Sequence, residues 1–364
     1  LFYLCLLKYL FEYCMNLYVF NICILLLCFF VLKYCSVAEK SRNEFYIYGM
    51  GLYLFLIHAL KNPYSFSDTP AYAEAFEYMG AMGWKVYSDS GGFILKSEIG
   101  YVVLMWVISL ISTNIQTIFI VTSFIIVGGY FRSIYKYSFI PWLSILLLLI
   151  TNYNMSMFVL RQFIAMVICY NLFDYIINRK MFRFLIGVII AFSIHQTAFI
   201  FLPLYFIYPI TLSRKFYVYL IITILVLGWL ATVIYNYIGD TFVGYESYID
   251  GSQEGTNGKG FWLLLVVYLL YIRCLGVQLK KEGVNKLLFL ALSLGVVISF
   301  VGVGLVATSR LNMYYSGLLY LVIPNMLYQL KRANERLLLG LGICAFFAFY
   351  FFRDLPTSYL FFWE

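Results

Sequence analysis

Several stretches of this chain run for 20 residues or more without a charged side chain, among them 13–32, 99–131, 216–239, 287–309 and 311–330. At 1.5 Å per residue, about 20 apolar residues cross the ~30 Å hydrocarbon core of a bilayer. In lipid every backbone polar group has to be satisfied within the segment, which a helix achieves. Composition points the same way, because 63% of the 364 residues are apolar and 12% charged, against about 45–50% and about 25% in soluble domains. One buried core cannot absorb that excess, since a chain this long still has to cover a large surface. The expectation is an all-α, polytopic integral membrane protein, and a water-soluble enzyme is excluded.

Orientation follows from lysine and arginine in the short loops. One face collects 17 basic residues, among them Arg132, Lys136, Arg179, Lys180, Arg183, Lys280 and Lys281, against five acidic ones. The other collects eight basic residues, Arg161 and Arg310 included, against 12 acidic ones. The first face should be cytoplasmic. With that parity the spans read as 15–33, 45–61, 114–131, 138–152, 160–177, 184–195, 197–210, 216–236, 261–279, 287–307, 311–328 and 337–352. These are about 12 transmembrane helices in one domain over 1–364, with both termini outside. Counting 100–112 as a further span would break the charge rule at Arg132 and Lys136, so it reads as an interfacial or re-entrant helix. Two larger outer loops, 61–99 and 237–260, carry most of the outer carboxylates. The first fourteen residues are unusual, and Met15 is an alternative start. No cleavable leader is read, because 17–32 lacks a basic flank and ends on Lys33.

The net charge of +8 is spread between helices and forms no nucleic-acid patch. Eight cysteines without CxxC or Cys/His spacing imply neither a disulfide framework nor a zinc site. Gly255-Thr256-Asn257-Gly258-Lys259-Gly260 lacks the upstream glycine and the hydroxyl residue of a phosphate loop, so ATP-driven chemistry is not encoded. An Asp-x-Asp pair, HExxH and GxSxG are all missing, and only two histidines are present. Neither a cofactor nor a metal is expected.

Arg161 opens a span on the face where cations are disfavoured. Its guanidinium fork matches phosphate oxygens, and the plain alternative is a snorkelling anchor. Arg310 repeats the situation late in the chain. His195, with Gln196 and Thr197, sits at the apex of a short helical pair whose return is interrupted by Pro203 and Pro209. An ionisable residue there is a functional candidate, able to move a proton or contact a phosphate. His58 reads as interfacial. Glu98 lies where an outer loop returns to the membrane; desolvation there strengthens a carboxylate as a general base, and an exposed loop glutamate is the alternative. Asp68, before Thr69-Pro70, reads as a helix cap or as a site residue.

These residues resemble, in order and spacing, the Wzy-type O-antigen and exopolysaccharide polymerases. The matching pieces are Ser67-Asp68-Thr69-Pro70-Ala71-Tyr72, Glu98-Ile99-Gly100-Tyr101, Leu160-Arg161-Gln162-Phe163-Ile164-Ala165, His195-Gln196-Thr197-Ala198-Phe199 with Leu202-Pro203, and Arg310 followed by Tyr314-Tyr315. The resemblance implies a GT-C-like membrane glycosyltransferase at the periplasmic face of the bacterial inner membrane. It would move a glycan from undecaprenyl pyrophosphate onto a new lipid-linked repeat unit, with no metal, nucleotide or nucleic acid. Partners implied are undecaprenyl-pyrophosphate-linked oligosaccharide, membrane lipid, a chain-length regulator and a flippase. Arg161 and Arg310 would hold pyrophosphate, and Tyr72, Trp84, Tyr101, Gln162 and Gln196 would contact sugars. Glu98, His195 and Asp68 are the catalytic candidates, with Glu98 favoured as base and His195 as a phosphate-side donor.

Other readings are a lipid-linked-oligosaccharide flippase or secondary transporter, an O-antigen ligase and a membrane acyltransferase. The first wants midplane charges and repeated halves, and the second a dominant late outer loop. The third wants a His-Asp or His-Asn pair. None of these is evident in the sequence.

Overall fold

A computed structural model of the chain describes residues 17–35, 38–85, 98–230, 259–276, 279, 281–302, 306–353 and 359–364. Most of the first expected outer loop, 61–99, lies within these bounds; of the second, 237–260, only the last two residues do. The helices are α1 (Leu17–Tyr34), α2 (Glu39–Ala59), α3 (Thr69–Met82), α4 (Ile99–Ser109), α5 (Ile115–Tyr137), α6 (Pro141–Leu148), α7 (Leu160–Tyr170), α8 (Phe173–Ile177) and α9 (Met181–Ile194). They continue as α10 (Leu202–Ile207), α11 (Arg214–Trp229), α12 (Lys259–Leu275), α13 (Val284–Val301), α14 (Val306–Ser316), α15 (Leu319–Tyr328) and α16 (Ala333–Arg353). Among the described residues no strand forms.

Within the described residues helix falls in each of the twelve expected stretches, of which 15–16, 231–236, 277–278 and 303–305 lie outside those residues. Among the described residues, four helical segments are both long and apolar enough to cross a membrane: Leu17–Tyr34, Ile115–Tyr137, Leu160–Ile177 and Val284–Val301. Large apolar side chains such as Phe124, Ile189, Leu225 and Leu338 face outward, as lipid-facing helices require. The protein is therefore an all-helical membrane protein.

Packing divides the chain into two units, Leu1–Ile94 with Val102–Phe163 and Leu337–Glu364, and Leu95–Tyr101 with Ile164–Arg336. In the first unit α2 lies along α5, and Gly51 allows the close approach: a Cβ there would meet the Phe131 ring at 3.0 Å. After α6 the chain relaxes into one π-helical stretch, Leu149–Tyr153, before Asn154–Ser156. Wider turns of this kind re-aim side chains. Here the Tyr153 hydroxyl donates to the Leu54 carbonyl, and Ser156 reaches His58 Nε2 at 3.1 Å. His58 also meets Ser123 through Nδ1 at 2.7 Å and is wholly buried within the protein. Lys61 is buried as well, its Nζ donating to the His58 carbonyl at 2.9 Å. The chain end closes over this corner. Leu60 and Asn62 pair with Phe362 and Leu360 around one antiparallel bridge, Lys61 to Phe361, and the Tyr359 hydroxyl donates to the Ile57 carbonyl.

The second unit is built around α13, which packs against α10, α11, α12, α14 and α15. Phe289 is its aromatic centre, stacked on Tyr268 at 5.1 Å and on Tyr271 at 6.3 Å. Two expected spans carry a short turn within them, 160–177 at 171–172 and 311–328 at 317–318. In 160–177 the Asn171 amide donates to the Val167 carbonyl at 2.8 Å, competing with the helix ladder. In 311–328 the turn comes at Gly317, where a Cβ would lie 2.6 Å from the Tyr170 hydroxyl oxygen. No side chain fits there, and α15 restarts two residues later.

Candidate functional site

The second unit brings Glu98 and His195 together. Glu98 directly precedes α4, its carbonyl accepting from the Tyr101 N–H at 3.0 Å. A carboxylate at a helix start is favoured by the orphan amides and the macrodipole. On the other side, α9 ends at Ile194 and His195 is extended, with φ −152° and ψ 116°. A six-residue 3₁₀ helix, Gln196–Phe201, then leads into α10, with Pro203 in its first turn. The break expected around His195 is therefore present. The histidine backbone is held on both sides, N–H to Ala191 at 2.9 Å and carbonyl from Ala198 N–H at 3.0 Å.

His195 Nδ1 hydrogen-bonds Glu98 Oε1, and both side chains are largely buried, with 17% and 8% of their surface exposed. Such an arrangement fixes the ring tautomer and turns Nε2 away from the carboxylate. Gly100 makes the approach possible. A Cβ there would stand 2.7 Å from the Ser193 carbonyl carbon and 2.8 Å from its oxygen. Both are backbone atoms of the last turn of α9, which leads directly into His195, so only glycine lets α4 start where it does.

Helix α14 packs against the same 3₁₀ turn. Thr197 donates to the Tyr314 hydroxyl at 3.3 Å, the Tyr315 hydroxyl donates to the Ile200 carbonyl, and Phe201 stacks on Tyr315 at 6.1 Å. Arg310 is half-buried one turn before Tyr314. An i, i+4 relation puts the two on one helix face, about 5–6 Å apart at Cβ. Gln196, the first residue of the 3₁₀ helix, is half-buried.

The first unit holds the other candidates except Tyr101, which belongs to the second. Arg161, at the start of α7, places its guanidinium 5.7 Å from the centre of the Tyr72 ring, a cation–π distance. Gln162 beside it is 1% exposed, and Tyr101 in α4 is 2% exposed; either would reach a sugar only if neighbouring groups moved. Trp84 is open and meets Trp106 edge-on at 5.7 Å. Asp68 precedes α3 without capping it: its backbone is already helical, and its carboxylate accepts from the Ser67 hydroxyl at 3.1 Å. Thr69 does not cap either. Its hydroxyl turns back to Phe66, donating to the carbonyl at 3.1 Å and accepting from the N–H at 3.3 Å. Pro70 occupies the first turn as expected.

Two contributors escaped the sequence reading. Gly100 was quoted only as part of a motif, although a glycine next to a membrane-entry carboxylate already signals close backbone approach. Tyr314 enters the sequence motif only as a residue following Arg310, and nothing local signals its contact, because its partner Thr197 is 117 residues away. Among the described residues no cluster of three metal-ligating side chains forms.

No curated protein matches the chain. No solved structure matches it either. A model of the EpsG family matches residues 46–363, a stretch that includes every candidate residue above. The resemblance read from the motifs and the family match agree, and the chain belongs to the EpsG family, an exopolysaccharide and O-antigen polymerase-like family.

Proposed function

We propose that the protein is an O-antigen or exopolysaccharide polymerase acting at the periplasmic face of the bacterial inner membrane, with twelve crossings in a GT-C-like arrangement. An acceptor sugar hydroxyl on a new lipid-linked repeat attacks the anomeric carbon of the growing glycan. The bond to undecaprenyl pyrophosphate breaks, and the pyrophosphate leaves with the bonding electrons. The hydroxyl proton passes to His195 Nε2, while Glu98 holds the Nδ1 hydrogen and stabilises the imidazolium that forms. Carboxylate and imidazole thus work as one base, in place of Glu98 alone. The observation carrying this reading is the Glu98–His195 hydrogen bond in a chain of this family. A pyrophosphate leaving group needs cations at headgroup depth and no nucleotide, which suits Arg161 and Arg310. Tyr72, Trp84, Tyr101, Gln162 and Gln196 are assigned to sugar contacts, and Asp68 is kept as a further catalytic candidate.

Deleting the gene in a smooth-polysaccharide host tests the reading. Loss of the ladder on a lipopolysaccharide gel, with a single-repeat band kept, is the expected result. Absence of any repeat would point to a flippase, and free polymer on the lipid carrier to a ligase.

Two further outcomes are expected. Reporter fusions after Asp89 or Gly251 should read periplasmic and fusions after Lys180 or Lys281 cytoplasmic; a cytoplasmic reading at Asp89 overturns the orientation. A charge-assisted hydrogen bond contributes about 1.5–3 kcal/mol, so Arg161→Ala should cut polymerisation roughly tenfold to a hundredfold at equal expression. Arg161→Lys should restore only part, because an ammonium lacks the planar fork. Normal ladders from both Arg161→Ala and Arg310→Ala would remove the arginines from phosphate binding.

A further inference from the structure

Between α2 and α5, within the first unit, lies an elongated apolar cavity of about 480 Å³, inside the ~300–1,000 Å³ range of small-molecule sites. Two aromatic pairs bound it, Phe55 with Phe124 at 6.1 Å and Tyr48 with Tyr135 at 6.1 Å. From Phe124 to Tyr135 the helix rises about 16 Å, close to the depth of one leaflet of a ~30 Å hydrocarbon core. Glycines make the space. Gly51 and Gly128 both line it, and a Cβ built on Gly128 meets nothing within 4 Å.

One end of this cavity is charged. Arg132 lines it beside Tyr135, is exposed, and forms no ion pair among the described residues. Lys40, Arg42 and Lys136 belong to the same helix ends, against Glu39 and Glu44, and the Glu44 carboxylate is engaged by the Tyr135 hydroxyl at 3.4 Å. An apolar slot one leaflet deep with a guanidinium at its mouth matches a lipid with an apolar tail and an anionic head.

We propose that this groove binds one acyl chain of an anionic glycerophospholipid whose phosphate sits on Arg132. Guanidinium binds a phosphodiester in fork geometry, and the groove encloses the chain that would otherwise exchange freely with bulk lipid. The site shares no residue with the Glu98–His195 pair and does not depend on the reaction assigned to it.

Native mass spectrometry of the full chain in mild detergent tests this, with phosphatidylglycerol and phosphatidylcholine of identical chains added together. Wild type should retain phosphatidylglycerol about tenfold over phosphatidylcholine, the worth of one charge-assisted contact. Arg132→Gln should bind both equally, and Gly128→Phe, which fills the slot, should retain little of either. Arg132→Gln alters only an exposed side chain and carries the test even if Gly128→Phe fails to fold. Equal retention of both lipids by wild type overturns the proposal, as does an undiminished phosphatidylglycerol preference in Arg132→Gln. A polyprenyl phosphate that displaces phosphatidylglycerol from wild type at equal concentration overturns the choice of occupant.

Discussion

Glu98→Gln is expected to lower turnover by roughly a hundredfold to ten-thousandfold, the usual contribution of a positioned general base. An amide cannot stabilise the imidazolium that forms when His195 takes the acceptor proton. It can still hydrogen-bond the ring, so folding and substrate binding should survive, and the loss should fall in kcat with KM little changed. His195→Gln should cost as much. Because the two side chains share one hydrogen bond, their effects should not add, and the double variant should be no worse than the poorer single one. Purified protein with synthetic lipid-linked repeats gives the measurement. Near-normal turnover by Glu98→Gln rules the carboxylate out of proton transfer. A doubly mutated protein far below both singles would mean that the two residues act independently.

Gly100→Ala is expected to reduce activity at least tenfold without touching a reacting group. Its Cβ would press on the Ser193 carbonyl, at 2.7 Å and 2.8 Å from carbon and oxygen. Backbone atoms in a turn fixed by hydrogen bonds on both sides have little room to yield. Relief has to come from shifting the start of α4, which carries Glu98 away from His195, and overpacking of this kind also costs about 1–3 kcal/mol of stability. Gly49→Ala is the control, since it lies in a helix with nothing within 4 Å of its Cβ and alanine favours helix by about 1 kcal/mol. The same turnover assay, with thermal melting alongside, separates the two. A Gly100→Ala protein with wild-type turnover would show that the approach of α4 to Ser193 is not needed for activity.

Where the chain is helical was legible because apolar runs and their breaks are local. The expected interruption at His195 and Pro203 is an example: a proline lacks the N–H that a continuing helix needs, and the 3₁₀ segment Gln196–Phe201 answers it. The turns at Asn171 and Gly317 were less legible. Asn171 departs from the helix through its own side chain, and Gly317 through the Tyr170 ring in another helix. Capping by Asp68 fails for a related reason. The residue types were right for a cap, but Thr69 turns to Phe66 and the backbone at Asp68 is already helical.

By itself the sequence determined the solvent: its charge-free runs can only be stable where water is excluded, and this follows from composition and length. It also singled out Glu98, His195, Arg161 and Arg310, because ionisable groups beside such runs cost too much to be incidental. Tertiary structure alone decided which of them meet. Glu98 and His195 are 97 residues apart, and their contact depends on the missing side chain of Gly100. Likewise Lys61, the first residue of the loop 61–99, is buried on His58 where residues some 300 positions later close over it. Burial and pairing depend on what packs from distant parts of the chain, and no local pattern of residues encodes that.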